Sequence, residues 1–326
     1  MPIPPPPRTV LFVLNYNGTK LTCDLLASLR TVSLPYPVWV VDNGSDHDDS
    51  EAFESALPGV IVKRISPNCG FAGGVNKAVR MAANEGFEFA YEINNDTLGQ
   101  DDFVSPCVDI MTKLPDVDIV ASRTRTLDPQ TGEFSIWGYH SRPEEVDRAP
   151  EGFLETKNVT GCGMLLRVKT FLDFGGLDER FFCYCEETDY CFRLAKAGRR
   201  LGFAARSLIL HQGAATTTGP GSLYYLTRNT LLFSRLHDSS WMNTSSSLVK
   251  KAVIPGWTAL FTGKARTAAI IGHAFSDAIR GRFGKRKTPF RKNRGVFLFV
   301  LLSPLILIYA IAISAMLHPW RPKPKP

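Results

Sequence analysis

The sequence predicts an α/β protein built on a parallel sheet covered on both faces. Three observations carry this. Short, mainly apolar runs alternate with segments of helical periodicity through the N-terminal part of the chain. Each run ends in a polar cluster rich in Asn, Asp and Gly. The 326 residues, 44% hydrophobic and 21% charged, have the composition of a folded protein with room for a large domain and an appendage.

The elements follow in order. Residues 9–14 (TVLFVL) have the pattern of a strand buried on both faces, and NYNG at 15–18 turns the chain. Leu21, Leu25, Leu26 and Leu29 then recur at helical spacing. A second buried strand at 38–41 closes on DNGSD at 42–46. A short helix at 51–57 and a third strand at 60–65 lead to a glycine-rich loop at 68–74 and a helix at 75–85. A fourth strand at 87–93 runs into Asn94, Asn95, Asp96 and Thr97. Beyond it the pattern loosens. A strand at 119–123, a turn at 128–132 and a polar loop at 142–155 precede a glycine-containing segment, 159–167, that enters a strand. A helix begins within 185–193, where Glu186, Glu187 and Asp189 favour its positive end. Residues 201–205 and 208–211 read as two closing strands.

Strands that alternate with helices form a parallel sheet, and ligands of such sheets sit beyond the carboxyl ends of the strands. The clusters at 15–18, 42–46 and 94–97 occupy those ends and are expected to converge on one crevice. The last of them offers carboxylate and carbonyl oxygens, which suit Mg²⁺ or Mn²⁺, ions that take substrate phosphates as further ligands. The same residue types also build an ordinary turn.

The net charge of +7 hides a division. From residue 248 onward there are fifteen Lys or Arg and one acid, Asp277, a balance of +14; the remainder of the chain balances at −7. A basic tail on an acidic body points to an anionic surface as partner. Aromatic and basic residues are not interleaved there, which argues against nucleic acid. Residues 296–317 are 22 positions without a charge. At ~1.5 Å per residue they reach ~33 Å, enough for a hydrocarbon core of ~30 Å. Arg280, Arg282, Lys285, Arg286, Lys287, Arg291, Lys292 and Arg294 precede the run, and Arg321, Lys323 and Lys325 follow it. Positive charge stays inside, so the body is expected to face the cytosol at the cytoplasmic membrane. Residues 241–295 read either as broken amphipathic helices lying on the bilayer or as a packed helical hairpin. The domains expected are therefore 1–240, 241–295 and 296–326. Seven cysteines, an odd number at irregular spacing, read as reduced thiols and fit no zinc motif. Residues 1–8, a proline run, lack the apolar core of a secretory signal.

Taken in order, VLNYNG (13–18), VDNGS (41–45), NCGFAGGVN (68–76), NNDT (94–97), GCGMLLR (161–167), GGLDE (175–179), EETD (186–189), His211 and YLTRN (225–229) resemble the family 2 glycosyltransferases of the GT-A fold, especially rhamnosyltransferase-like members. The resemblance covers about residues 9–237. It implies a GT-A nucleotide-sugar-binding fold with a mixed, mainly parallel sheet. The reaction it implies is inverting transfer of a sugar from a nucleotide diphosphate sugar to the hydroxyl of a lipid-linked or saccharide acceptor, in cell-envelope polysaccharide or glycolipid synthesis. On the same resemblance, Asp96 binds the metal and His211 completes its shell. Asn15, Asn17 and Asp42 frame the nucleotide; Asn68, Gly70, Gly73, Asn76 and Asn95 approach the donor; and Arg228 meets the diphosphate. Glu187 is the general base, with Asp189 as the alternative. The family's metal motif is usually Asp-any-Asp and its base an aspartate, whereas Asn94 and Glu187 stand at those positions here. These departures keep open a second reading, a catalytically silent sugar-nucleotide-binding membrane subunit.

Overall fold

A computed structural model describes residues 7–32, 34–128, 130–138, 149, 152–213, 219–237 and 252–316. Most of the polar loop at 142–155, residues 241–251 and the basic residues after 317 lie outside them. The chain divides into two compact units, residues 1–216 and 217–326.

The first unit is built on a ten-stranded sheet. Its strands are β1 (Thr9–Asn15), β2 (Val38–Asp42), β3 (Ile61–Arg64), β4 (Phe89–Asn94), β5 (Thr97–Gly99), β6 (Val117–Leu127), β7 (Phe134–Trp137), β8 (Phe153–Thr156), β9 (Gly163–Arg167) and β10 (Arg200–His211). They lie in the order β3-β2-β1-β4-β9-β6-β10-β5, with β7 paired to β6 and β8 to β10. β3, β2, β1 and β4 are parallel neighbours. β9 runs antiparallel between β4 and β6, so the sheet is mixed, as the family resemblance implies and the element pattern alone does not. The buried face pattern of β9 is that of a parallel strand, and periodicity carries no direction. The two closing strands expected at 201–205 and 208–211 are one strand, β10, broken in register between Ala204 and Leu208.

Among the described residues six helices cover the sheet: α1 (Thr19–Thr31), α2 (Ser50–Ala56), α3 (Gly70–Asn84), α4 (Ser105–Lys113), α5 (Val168–Asp173) and α6 (Glu186–Lys196). Alternate side chains of β1 feed opposite faces. Leu11 and Val13 join Leu25, Leu26, Phe53, Phe103 and Met111 on one side. Val10 and Phe12 join Trp39, Val75, Val79, Phe171 and Leu194 on the other. The glycine-rich stretch at 68–74 is not all loop: α3 begins at Gly70. Gly70 has φ +78°, and a Cβ there would lie 2.2 Å from the Phe182 carbonyl oxygen.

The second unit contains α7 (Pro220–Leu236), α8 (Ile254–Phe261), α9 (Ala265–Ile279) and α10 (Lys292–Met316). Tyr224 ties α7 into this unit: its hydroxyl donates to Asp277 at 2.8 Å and its ring packs on Phe290. The boundary expected at 240 falls outside the described residues, and α7 groups with the helices that follow it. Residues 268–276 of α9 are buried throughout. A Cβ on Gly272 would lie 2.0 Å from the Gly295 carbonyl oxygen, so small residues set the α9–α10 approach. Of the two readings of 241–295, the packed hairpin describes α9. Among the described residues no helix is long and apolar enough to cross a membrane, so the span expected at 296–317 is not shown. α10 nevertheless exposes Phe297, Val300, Leu301, Leu305 and Ile308. All seven cysteines are thiols, outside any disulfide.

Gly272→Ala places a methyl group against backbone that cannot retreat. It should destabilise the protein by roughly 1–3 kcal/mol, the range for overpacking. Chemical denaturation followed by tryptophan fluorescence would measure this, and an unchanged transition would contradict the close helix approach.

Candidate active site

The parallel register sets Asn15 beside Asp42 and Leu14 beside Asn94, so the polar ends of β1, β2 and β4 do converge. Asn15, 1% exposed, donates through Nδ2 to Asp42 Oδ1 (3.0 Å) and Ser45 Oγ (3.1 Å), and its Oδ1 accepts from Thr22 (2.9 Å). Asp42 also accepts from Ser45 and, through Oδ2, from Arg64 Nε at 3.0 Å. Asn17, at φ +50°, exchanges hydrogen bonds with Asp46: its Nδ2 donates at 3.0 Å and its Oδ1 accepts the backbone N–H at 2.9 Å. The first duty of Asn15, Asn17 and Asp42 is thus to lock the strand-end loops together, since buried polar groups need partners. Both amide hydrogens of Asn15 are engaged, so it shapes the wall of the crevice.

The start of α3 is held in the same way. Asn68 Oδ1 accepts the Gly70 N–H at 2.8 Å. Asn43, given no role of its own within the 42–46 cluster expected at the crevice, is buried; it donates to the Gly70 carbonyl (2.8 Å) and accepts from the Cys69 N–H (3.2 Å). Gly73 permits close approach, because a Cβ there would lie 2.8 Å from that of Cys69. Asn76, expected among the donor-binding residues, clamps α3 to the loop before α6. It is 2% exposed, donates to the Leu177 carbonyl (2.8 Å) and Glu179 Oε1 (3.0 Å), and accepts from the Leu177 N–H (2.8 Å). No amide hydrogen remains for a ligand.

Beyond β4 the two residues expected to meet a metal do meet. Pairing of β5 with β10 sets Thr97 beside His211, and His211 Nε2 lies 3.3 Å from Asp96 Oδ1. Asp96 is buried, and its Oδ2 has no hydrogen-bond partner. Asn95 donates to Thr22 at 3.3 Å. Glu92, not singled out by the sequence, is fully buried one turn of pleat before this cluster, with Oε2 also unpartnered. Asn94, its amide oriented to satisfy its neighbours, donates to Glu92 Oε1 (3.2 Å) and to the Gly161 carbonyl (3.1 Å). Burial, and then the charges of Asp96, Glu187 and Glu186, push the Glu92 carboxyl well above the usual range.

α6 brings in the remaining acids. Phe182, Tyr184 and Cys185, just before it, hold φ of +67°, +71° and +73°, left-handed conformations that side chains resist and that cluster at functional sites. Burial raises both Glu186 and Glu187, and Glu186 Oε2 is a third buried oxygen without a partner. Glu187 is half-buried and faces Gly161, where an added Cβ would lie 3.6 Å from Glu187 Cγ. Asp189, the alternative base expected from the sequence, is held in an ion pair on α6. It is 1% exposed and paired with Arg193 Nε at 2.8 Å, while Arg193 donates at 2.6 Å to the carbonyls of both Phe174 and Gly176. Arg228 belongs to the second unit. It is buried there, donating to Asn229 and, at 2.6 Å, to the Gly284 carbonyl, with Tyr225 and Phe283 against its guanidinium.

The centre therefore concentrates buried carboxyl groups with free lone pairs, an arrangement that a cation relieves. Among the described residues no group of three or more His, Cys, Asp or Glu side chains forms a metal cage. Asp96 and His211 fit a divalent ion whose other ligands come from water and phosphate.

Comparison with known proteins places this geometry. The model of glycosyl transferase family 2 matches residues 11–174, just over half of the 326-residue chain. The chain belongs to that family, and its enzyme class is glycosyltransferase. It is 24% identical over 225 residues to the N-acetylglucosaminyl-diphospho-decaprenol L-rhamnosyltransferase of Mycobacterium tuberculosis (strain ATCC 25618 / H37Rv), covering 59% of this chain and 72% of the relative. It is 39% identical over 51 residues to rhamnosyltransferase WbbL of Escherichia coli (strain K12), covering 16% of this chain and 19% of that one. The crystal structure of GalNAc-T7 with UDP, GalNAc and Mn²⁺ superposes with a TM-score of 0.53 at 11% identity, over 69% of this chain and 48% of the other; that likeness shows the fold.

Because Glu92 binds its proton more tightly folded than unfolded, it favours the folded state at low pH. That advantage is lost as pH rises through its unfolded value toward its raised folded one. Glu92→Gln removes the ionisation. Without metal it should raise stability near neutral pH by roughly 1–3 kcal/mol, the scale of an unsatisfied buried group. The gain should vanish below the ordinary glutamate value of 4.5. Thermal melts across pH would show it, and a loss of stability near neutrality would refute the assignment.

Proposed function

We propose that the protein transfers a sugar, with inversion, from a nucleotide diphosphate sugar to an acceptor hydroxyl. The observation that carries this reading is the pairing of Asp96 with His211, one Asp96 oxygen still free, in a centre shared with Glu187. A divalent ion, when bound, supplies positive charge against the diphosphate leaving group; Mn²⁺ in GalNAc-T7 supports that choice over a metal-free site. Asp96 and His211 hold that charge in place. Glu187 takes the acceptor proton as the hydroxyl oxygen attacks the anomeric carbon. Its raised pKa makes it a stronger base than an exposed glutamate. Asp189 keeps α6 seated, and the loops held by Asn15, Asp42 and Asn43 give the donor crevice its shape.

The name of the mycobacterial relative supports an L-rhamnosyl donor and a sugar on a lipid diphosphate as acceptor. An acceptor of that kind resides in the bilayer. The exposed apolar side chains of α10 and the basic residues preceding it support a membrane-anchored enzyme facing the cytosol, acting in cell-envelope glycan synthesis.

Glu187→Gln should lower kcat by ~10²–10⁴-fold, the usual contribution of a positioned base, while donor affinity by calorimetry stays within about threefold. Wild-type kcat should fall as pH drops through a midpoint above the ordinary glutamate value of 4.5. Full turnover by the glutamine variant would remove Glu187 from the reaction. Donor binding without any product release by the wild type would favour a silent binding subunit. Asp96→Asn, and equally treatment with a chelator, should weaken donor binding and abolish transfer; unchanged titrations with nucleotide sugar and Mn²⁺ would remove the cation from this site.

A further inference from the structure

The second unit contains a cavity of about 200 Å³ between α9, the segment after it and the start of α10. Five arginines line it (Arg280, Arg282, Arg286, Arg291 and Arg294) with one acid, Asp277. That acid is already engaged. Its carboxylate accepts from the Tyr224 hydroxyl at 2.8 Å and from Arg286 Nη1, and lies 3.9 Å from Arg282 Nη1. Arg286 is further fixed by donating Nε–H to the Thr288 carbonyl at 2.7 Å. His273 is buried and meets the Arg291 backbone through Nε2; burial lowers its pKa, so it adds no positive charge at neutral pH. Arg280, Arg291 and Arg294 have no acidic partner among the described residues.

Guanidinium groups held around one cavity repel each other, and an oxyanion between them reverses that. Their planar forks match the oxygens of a phosphoryl group better than any uncharged ligand. The wall supplies the second clue. Leu298 of α10 lines the cavity, and the next exposed residues on that helix, Val300 and Leu301, are apolar. Such a site fits a ligand with a charged head and a hydrocarbon tail.

We infer that this cavity binds a phosphoryl group, carried as the headgroup of an anionic lipid. The lipid as carrier rests on the membrane association proposed above; the phosphoryl chemistry rests on the cavity itself. The site goes beyond a diffuse basic surface, because it predicts that particular arginines matter and equally charged neighbours do not.

The test uses the full chain in neutral detergent, with binding read by thermophoresis. The probes are dioctanoyl phosphatidic acid, dioctanoyl phosphatidylcholine and inorganic phosphate. The phosphatidic acid should bind about tenfold tighter than the zwitterionic lipid, and phosphate should compete with it. Combining Arg280→Gln, Arg291→Gln and Arg294→Gln should cost about tenfold or more in affinity for phosphatidic acid. Combining Lys285→Gln, Lys287→Gln and Lys292→Gln, the same change in charge outside the cavity, should cost clearly less than the arginine triple. Circular dichroism checks that both variants fold. Equal losses in the two triple variants would overturn the inference, as would indifference between the two lipids. Flotation with phosphatidylcholine vesicles tests the membrane reading separately. If the protein fails to float but phosphate still binds through the three arginines, the cavity stands and the lipid carrier falls. If neither phosphate nor phosphatidic acid binds, the cavity reading falls whatever flotation shows.

Discussion

The feature on which the rest of the first unit depends is negative charge held out of water at the end of β4. Glu92, Asp96 and Glu186 each keep a buried oxygen without a partner. The N-terminus of α6 offers acids near it about 0.3–1 kcal/mol. Removing a carboxylate from water costs several kcal/mol. The helix dipole therefore loses that contest, and the balance must come from protons or from a cation. Glu92 and Glu186 take the first course, their carboxyls raised chiefly by burial. Asp96, set beside His211 with one oxygen free, is suited to the second.

Everything around that centre serves to hold it. Asn15 and Asp42 pin β1 to β2, Asn43 pins β2 to the start of α3, and Asn76 pins α3 to the loop before α6. The left-handed residues 182, 184 and 185 turn the chain so that α6 delivers Glu187 beside Gly161. Left-handed backbone costs roughly 1–2 kcal/mol per residue, and the ion pair of Asp189 with Arg193 fastens the helix that this turn presents. The loops, helix starts and buried amides form one connected scaffold, so a change at Asn76 or Asp189 would reach the chemistry without touching substrate.

What the sequence revealed and what it hid divide along physical lines. β1, β2 and β4 were legible because continuous apolar runs end abruptly in polar turns, and their convergence follows from parallel pairing. The antiparallel course of β9 was not legible, since both faces are buried and period carries no direction. β5, β7 and β8 are three or four residues long, too short to show a period. Among the candidate site residues, Asp96 and His211 were singled out through an ordered family pattern, and the structure brings them within 3.3 Å of each other. The duties of Asn76 and Asp189 were hidden because they depend on remote partners; the Leu177 carbonyl that Asn76 binds is 101 residues away. Glu92 was missed inside a mainly apolar strand, and Asn43 inside a cluster in which only Asp42 was given a role. In the second unit the composition of α9 fitted a bilayer surface as well as a protein interior. In the structure the burial of residues 268–276 and the close approach of Gly272 to Gly295 pack α9 against α10.

The two departures from the family pattern have a common physical setting. Asn94 stands where an aspartate is usual, and it donates one amide hydrogen to Glu92 and another to the Gly161 carbonyl. An aspartate there could donate to neither and would place one more charge beside Glu92, Asp96 and Glu187. The amide is thus the residue that a strand carrying Glu92 requires. It also ties β4 to the segment that Glu187 faces. Glu187, one methylene longer than aspartate, reaches from a helix start fixed by strained backbone, and its carboxyl responds to the same field. Read separately, the substitutions suggest a site that has lost its acids. Read together with Glu92, they describe a site in which a carboxyl has been moved inward along β4, where burial favours its neutral form, while Asp96 keeps a free oxygen beside His211.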